Sequence, residues 1–140
     1  MKWIFLVIMG FGILNAQIVK TSKNTITDTT TKLQWQDNSD VKTITRDWKG
    51  AIKYCKNLTI NGHHDWRLPT IKEMKSIKLY KDGIPGMVDG FKNNTYGAYW
   101  SSTPYKGYPK FAWGLNYYSG FVGYVIKSYK GHVRCVRSVK

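Results

Sequence analysis

Acidic side chains are scarce in this chain: 8 Asp and Glu stand against 22 Lys and Arg in 140 residues, and Glu73 is the single glutamate. Paired carboxylates for acid/base hydrolysis need two well-placed acids, and Glu73, three residues after Thr70, is the second half of a capping box. Only two cysteines occur, Cys55 and Cys135; they make neither a structural zinc site nor a CxxC redox pair. Of the three histidines, His63 and His64 are neighbours, which point to opposite sides of an extended connector, and His132 is remote in sequence. With no HExxH pattern, no metal site is expected. Phosphate loops and dinucleotide fingerprints are missing, so no cofactor is expected, and Ser101 and Ser102 sit in no nucleophile elbow. Repeats and low-complexity tails are absent as well.

Long apolar runs are also lacking. The one candidate, Trp3 to Leu14, falls short of the roughly 20 residues a bilayer demands. Preceded by Lys2 and followed by Ala16, it reads as a secretory signal peptide over residues 1–16, leaving 17–140 as one domain. An uncleaved anchor is the alternative and still leaves the domain outside the cytoplasm. The expected location is therefore the periplasm, the cell surface or the medium, with no transmembrane segment in the mature chain. In an oxidising compartment a Cys55 to Cys135 disulfide is the default, with two buried free thiols as the alternative. The mature chain carries 21 basic against 8 acidic side chains, a formal +13. Such an excess favours polyanions, and export turns the expectation from nucleic acid to sulfated or phosphorylated glycans and other acidic surface polymers.

Alternating polar and apolar residues predict a hairpin from Ile26 to Gln36. Apolar Trp48, Ala51, Ile52, Cys55 and Leu58 at helical spacing predict a helix near 46–58, with Thr45 as its cap. The Thr70/Glu73 box and the stripe Ile71, Met74, Ile77 predict a second helix near 70–79. The glycine-rich stretch 82–97 reads as an irregular loop, and four short aromatic and β-branched runs follow it. The expected fold is α+β: two helices packed on a twisted, mainly antiparallel sheet built from the C-terminal runs and the N-terminal hairpin.

Candidate binding residues follow from this layout. Lys49, Lys53 and Lys56 fall on the outer side of the first helix, and Lys72, Lys75 and Lys78 form an i,i+3 ridge on the second. These six are the polyanion-binding candidates. Twelve of the 18 aromatics of the mature chain lie between Tyr96 and Tyr129; Tyr105, Tyr108 and Tyr118 are the candidates for stacking on sugar faces. Asp82, Asp89 and Asn93 offer oxygen ligands for calcium but lack EF-hand spacing. In the connector "NGHHDWRLPT", Asp65 and Arg67 can pair or bond to backbone, while Trp66 and Leu68 enter the core.

The succession "DTTTKLQWQD", "DWKGAIKYCKNL", "GHHDWRLPTIKEMKSI", "YWSST" and "GHVRCVRSV" resembles the C-terminal domain of the Legionella collagen-like adhesin, a widespread bacterial family catalogued as a domain of unknown function. The likeness runs from about Ile26 to Val139. The family's Thr-Gly-Leu-Met-Trp turn is here Thr31-Lys32-Leu33-Gln34-Trp35, a departure expected to loosen it. The resemblance implies a fold similar to the C-type lectin and formylglycine-generating-enzyme type, and a role in adhesion through sulfated glycosaminoglycans. It makes Trp35, Trp48, Asp65, Trp66, Arg67, Pro69, Trp100 and Arg134 structural, with the tryptophans in the core.

The leading expectation is an exported, non-catalytic binding module for anionic surface polymers. One alternative is an enzyme on cell-wall or host polysaccharide using His63, His64 or Asp65. Another is a structural subunit whose basic face meets an acidic protein partner.

Overall fold

The computed structural model describes residues 19–140; the expected signal peptide lies outside the described residues. Fourteen short elements follow one another: β1 (Val19–Ser22), β2 (Thr25–Asp28), β3 (Leu33–Gln36), α1 (Asp40–Thr43), β4 (Thr45–Arg46), α2 (Trp48–Lys56), α3 (Ile71–Ser76), β5 (Lys78–Lys81), β6 (Ile84–Met87), β7 (Tyr99–Pro104), β8 (Phe111–Leu115), β9 (Val122–Ile126), β10 (Gly131–His132) and β11 (Val136–Ser138). The class is α+β with mostly antiparallel pairing. One sheet runs β1-β2-β3-β11, a second β4-β10-β7-β8-β9, and β5-β6 form a separate hairpin. The β10–β7 contact, His132 opposite Tyr99, is parallel.

The expected single sheet is in fact divided. The last run, "GHVRCVRSV", contributes β10 to the second sheet and β11 to the first, and Val133, Arg134 and Cys135 cross between them, all buried. Two core clusters result. Ile26, Trp35, Val41, Met74, Ile77 and Tyr99 belong to one; Ala51, Cys55, Trp66, Leu68, Trp100 and Val133 belong to the other. Neighbouring residues on a strand face opposite ways, so adjacent Tyr99 and Trp100 on β7 feed one cluster each.

Local chemistry explains the element ends. The β2–β3 turn closes through Lys32 N–H to the Asp28 carbonyl (2.8 Å), and the Asp28 side chain accepts from Thr30 N–H (2.9 Å). Lys32 holds φ +60°, a conformation that favours glycine, in a turn closed by these bonds. Helix α2 is capped by Asp47, not by Thr45, which pairs with His132 on β10. The Asp47 carboxylate accepts from Gly50 N–H at 2.8 Å, and a Cβ on Gly50 would stand 2.8 Å from that oxygen. Glycine thus clears space for the cap. Helix α2 buries Ala51 and Cys55, but Ile52 lies on the exposed side, contrary to its assignment to the apolar face.

The capping box of α3 is present in full: Glu73 N–H donates to Thr70 Oγ1 (3.1 Å) and Thr70 N–H to Glu73 Oε1 (2.9 Å). Helix α3 is shorter than expected, ending at Ser76, because the chain turns into β5. Part of the supposed loop 82–97 is strand β6, joined to β5 by Asp82 and Gly83 with φ +54° and +77°. Two left-handed residues in a two-residue loop are the type I′ geometry that Asp-Gly favours.

Cys55 and Cys135 form a disulfide with Cα atoms 5.5 Å apart, joining α2 to the crossing segment across 80 residues of sequence. Closing a loop of that length stabilises a fold by about 4 kcal/mol in the chain-entropy model. Reduction, or replacement of both cysteines by serine, is expected to lower the melting temperature by roughly 10–20 °C. Calorimetry with and without reductant checks this; an unchanged melting temperature would contradict it.

Candidate functional site

The connector from Asn61 to Thr70 is a corner that fastens the two sheets to α3. Trp66 and Leu68 are buried, and Arg67 exchanges both backbone hydrogen bonds with Val136 of β11 (2.9 and 2.8 Å). Pro69 is buried and its carbonyl accepts from Ser102 N–H at 2.7 Å. Asp65 and Arg67 do not pair with each other. Arg67 donates a two-pronged bond to Glu73 (2.7 and 2.8 Å), and Asp65 accepts from Arg137 Nε at 2.6 Å. His63 and His64 are exposed; His64 Nδ1 lies 2.9 Å from Thr59 Oγ1. His132 sits half-buried in β10 against the Tyr99 ring, centroids 5.2 Å apart, and burial lowers its pKa. Among the described residues no group of three His, Cys, Asp or Glu converges.

Arg134 is the centre of a second arrangement. Only 2% exposed, it donates through Nη1 to the Gln36 carbonyl (2.7 Å) and Asp37 Oδ1 (3.3 Å), and through Nη2 to the Asn93 carbonyl. Its guanidinium lies 4.8 Å from the Phe91 ring centroid. Burial pushes the Arg134 pKa down, while Tyr99 and Asp37 act in the opposite direction. Asp37 in turn accepts from Lys92 N–H and Asn93 N–H, both at 2.9 Å. The Asn93 side-chain amide donates to the Asp37 carbonyl (2.9 Å), so this proposed calcium ligand is part of the Arg134 network. Asp82 and Asp89 instead border a groove beside β5 and β6. The three suggested calcium ligands do not come together.

The lysine candidates divide. Lys49, Lys53 and Lys56 are all exposed on α2, and Lys53 joins Arg46, Tyr54, Asn57 and Thr59 around an open basic groove of about 380 Å³. Lys72 and Lys75 are exposed on α3. Lys78 is not on that helix: it opens β5, half-buried, its Nζ 4.6 Å from the Tyr80 ring centroid. The three-lysine ridge is therefore a pair plus an offset third charge, because α3 stops two residues earlier.

Most acids, by contrast, are engaged in bonds within the fold. The three ion pairs among the described residues use Arg67, Arg134 and Arg137, never a lysine. Asp40 accepts from the Tyr54 hydroxyl (2.7 Å) and Asp47 caps α2.

The aromatic candidates also separate. Tyr105 and Tyr108 meet with centroids 5.8 Å apart, joined by Phe111 and Tyr124, and the four line a cavity of about 290 Å³. Tyr118 lies elsewhere, against Tyr96 at 6.5 Å and beside a groove formed with residues 85–91. Phe111 and Tyr124 were missed from sequence; alternation along β9 marks Tyr124 as outward, but only the register Trp113 opposite Tyr124 brings it to Tyr105. Of the structural tryptophans, Trp35, Trp66 and Trp100 are buried, whereas Trp48 is half-buried, donating to the Ser101 carbonyl (2.8 Å) beneath Lys127.

The class so defined is a small disulfide-linked α+β domain whose described ion pairs all use arginine and most of whose described lysines are exposed. A family model, the Lcl C-terminal domain, matches residues 24–137, and the chain belongs to that family. A search of curated proteins finds no match.

Two consequences are measurable. Replacing Arg134 by Met leaves Asp37 buried without its cation, a loss expected to cost about 3–5 kcal/mol; urea unfolding gives the size, and amide exchange at 92–94 should accelerate. For Glu73, burial pushes the pKa up, but the Arg67 guanidinium and the Thr70 N–H outweigh it and hold the carboxyl below its ordinary 4.5. A depressed folded-state pKa stabilises above the unfolded value and is lost as pH falls through the folded one. The melting-temperature gap between the wild type and Glu73→Gln should therefore narrow as pH drops from about 5 to 3. A gap constant across that range would refute the assignment.

Proposed function

We propose that this domain is an exported, non-catalytic binding module that holds anionic surface polymers, sulfated or phosphorylated, through its exposed lysines. The observation that carries the reading is the separation of charge: all three ion pairs among the described residues take arginine, while the α2 and α3 lysines stand exposed and outside those pairs. A chain with 22 basic and 8 acidic side chains, of which Asp65, Asp82 and Asp89 are exposed, presents a surface with a large cationic excess. Such a surface raises local polyanion concentration and speeds encounter. Lysine is a strongly hydrated point charge on a flexible stem, so retention by charge density rather than by sugar identity follows.

The disulfide suits an oxidising compartment, and among the described residues no helix is long and apolar enough to cross a membrane. The reading carries with it adhesion, and the C-type lectin or formylglycine-generating-enzyme type of fold that the family resemblance implies.

Retention on heparin, desulfated heparin and a neutral glycan across a salt series tests it. By analogy with counterion release, log affinity should fall linearly with log salt. Changing Lys49, Lys53 and Lys56 together to Glu, or Lys72 and Lys75, should flatten that slope by about the number of lysines engaged and weaken binding about tenfold or more at 0.15 M salt. Lys78→Glu alone should do less. Equal retention on sulfated and neutral polymers would overturn the proposal.

A further inference from the structure

The cup formed by Tyr105, Tyr108, Phe111 and Tyr124 is a separate feature from the lysine surface. Its four rings close on themselves: centroids are 5.8 Å apart for Tyr105 and Tyr108, 6.4 Å for Tyr108 and Phe111, 5.2 Å for Phe111 and Tyr124, and 4.6 Å for Tyr124 and Tyr105. Phe111 stands nearly perpendicular to Tyr108 and Tyr124, at 85° and 88°. The rings thus pack on one another in tilted and edge contacts, not in a parallel stack, and together border the hollow. Although apolar, they are left open to solvent, Tyr108 61% and Tyr124 54% exposed.

The cup is also held in shape before any ligand arrives. Tyr105 N–H donates to the Phe111 carbonyl (3.0 Å), Phe111 N–H to the Tyr108 carbonyl (3.0 Å), and Lys127 N–H to the Lys110 carbonyl (2.8 Å). Gly107, at φ +90°, makes the tight turn between Tyr105 and Tyr108. On the far side of the sheet Ala112 and Val125 pack into the core, which anchors the strands that carry Phe111 and Tyr124.

We infer that this cup receives a single pyranose ring bearing a carboxylate or sulfate, an inference that rests on the polymer-binding reading and supplies the selectivity that lysines lack. About 290 Å³ is at or below the small end of ligand pockets, roughly 300–1,000 Å³, which suits one ring and not a chain. A pyranose is amphipathic: its polarised C–H face meets the negative face of an aromatic ring, and its hydroxyls meet the tyrosine hydroxyls. A quaternary ammonium also suits an aromatic box, but charge argues against it here. Among the described residues no carboxylate lines the cup, and the charged residues of the turn are Lys106 and Lys110, both exposed. Those lysines favour an acidic substituent on the sugar.

The test titrates ¹⁵N-labelled protein with methyl β-glucuronide, methyl β-glucoside and tetramethylammonium, following amide shifts by NMR. Saturable shifts confined to 105–111 and 122–126, with a Kd of about 1–10 mM for the glucuronide and several-fold weaker binding of the glucoside, are expected. Tyr124→Ala and Tyr108→Ala, both at exposed positions, should abolish the shifts while the remaining amide spectrum stays that of the folded protein. Lys106→Gln with Lys110→Gln should erase the preference for the acidic sugar. Absence of localised shifts with either glycoside, or tighter binding of tetramethylammonium, would overturn the inference even with heparin retention intact. Glucuronide binding alongside salt-insensitive retention would instead overturn the polymer reading and leave the cup standing.

Discussion

The buried guanidinium of Arg134 is the interaction on which the rest of the architecture depends. It lies where the chain leaves β10 in one sheet and before it enters β11 in the other. From there it bonds the end of β3 through Gln36 and Asp37 and the 91–94 segment through Asn93. A charge taken out of water is costly unless its donors find acceptors, and the segments around Arg134 present carbonyls to Nη1 and Nη2, while its buried Nε has no hydrogen-bond partner among the described residues. Asp37 meets the same demand from its own side by accepting two backbone N–H groups. The long connection before β7 is thereby held by polar bonds where it has few apolar side chains to bury.

Cys135 follows immediately, and its disulfide to α2 fastens the same crossing to the helix side. Gln36 adds to the clamp: its Oε1 accepts from Cys135 N–H at 3.0 Å and its Nε2 donates to the Tyr54 hydroxyl at 3.0 Å. Residues 133–135 are thus fixed covalently, by charge and by hydrogen bonds within one short stretch. The two core clusters share a boundary there, since Val133 and Cys135 serve one and Val136 the other.

The two basic residue types divide the work along physical lines. Arginine's rigid fork satisfies several acceptors at once and tolerates burial, so Arg67, Arg134 and Arg137 make the ion pairs, the Arg134 pair fully buried. Lysine keeps its charge hydrated on a long stem, and most of the described lysines are exposed. Of the few carboxylates, Asp37, Asp65 and Glu73 are placed against arginines and Asp47 and Glu73 at helix N-termini.

Much of this was legible in the residues. Periodicity showed α2, the Thr70/Glu73 box marked the start of α3, and Cys55 with Cys135 suggested the bond, because caps, amphipathic spacing and oxidation state are local or compositional. The Asp82-Gly83 turn was equally local, and was obscured only by the glycines around it. What tertiary structure alone decided were the non-local pairings: that the last run divides between two sheets, that Asp65 takes Arg137 rather than Arg67, that Lys78 leaves the helix for a strand, and that Tyr124 reaches Tyr105 while Tyr118 does not. Sequence by itself determined which side chains wanted burial, capping or solvent. Which of them met across tens of residues was decided by strand register and by the acceptors a buried arginine requires, and neither is written in any short stretch of chain.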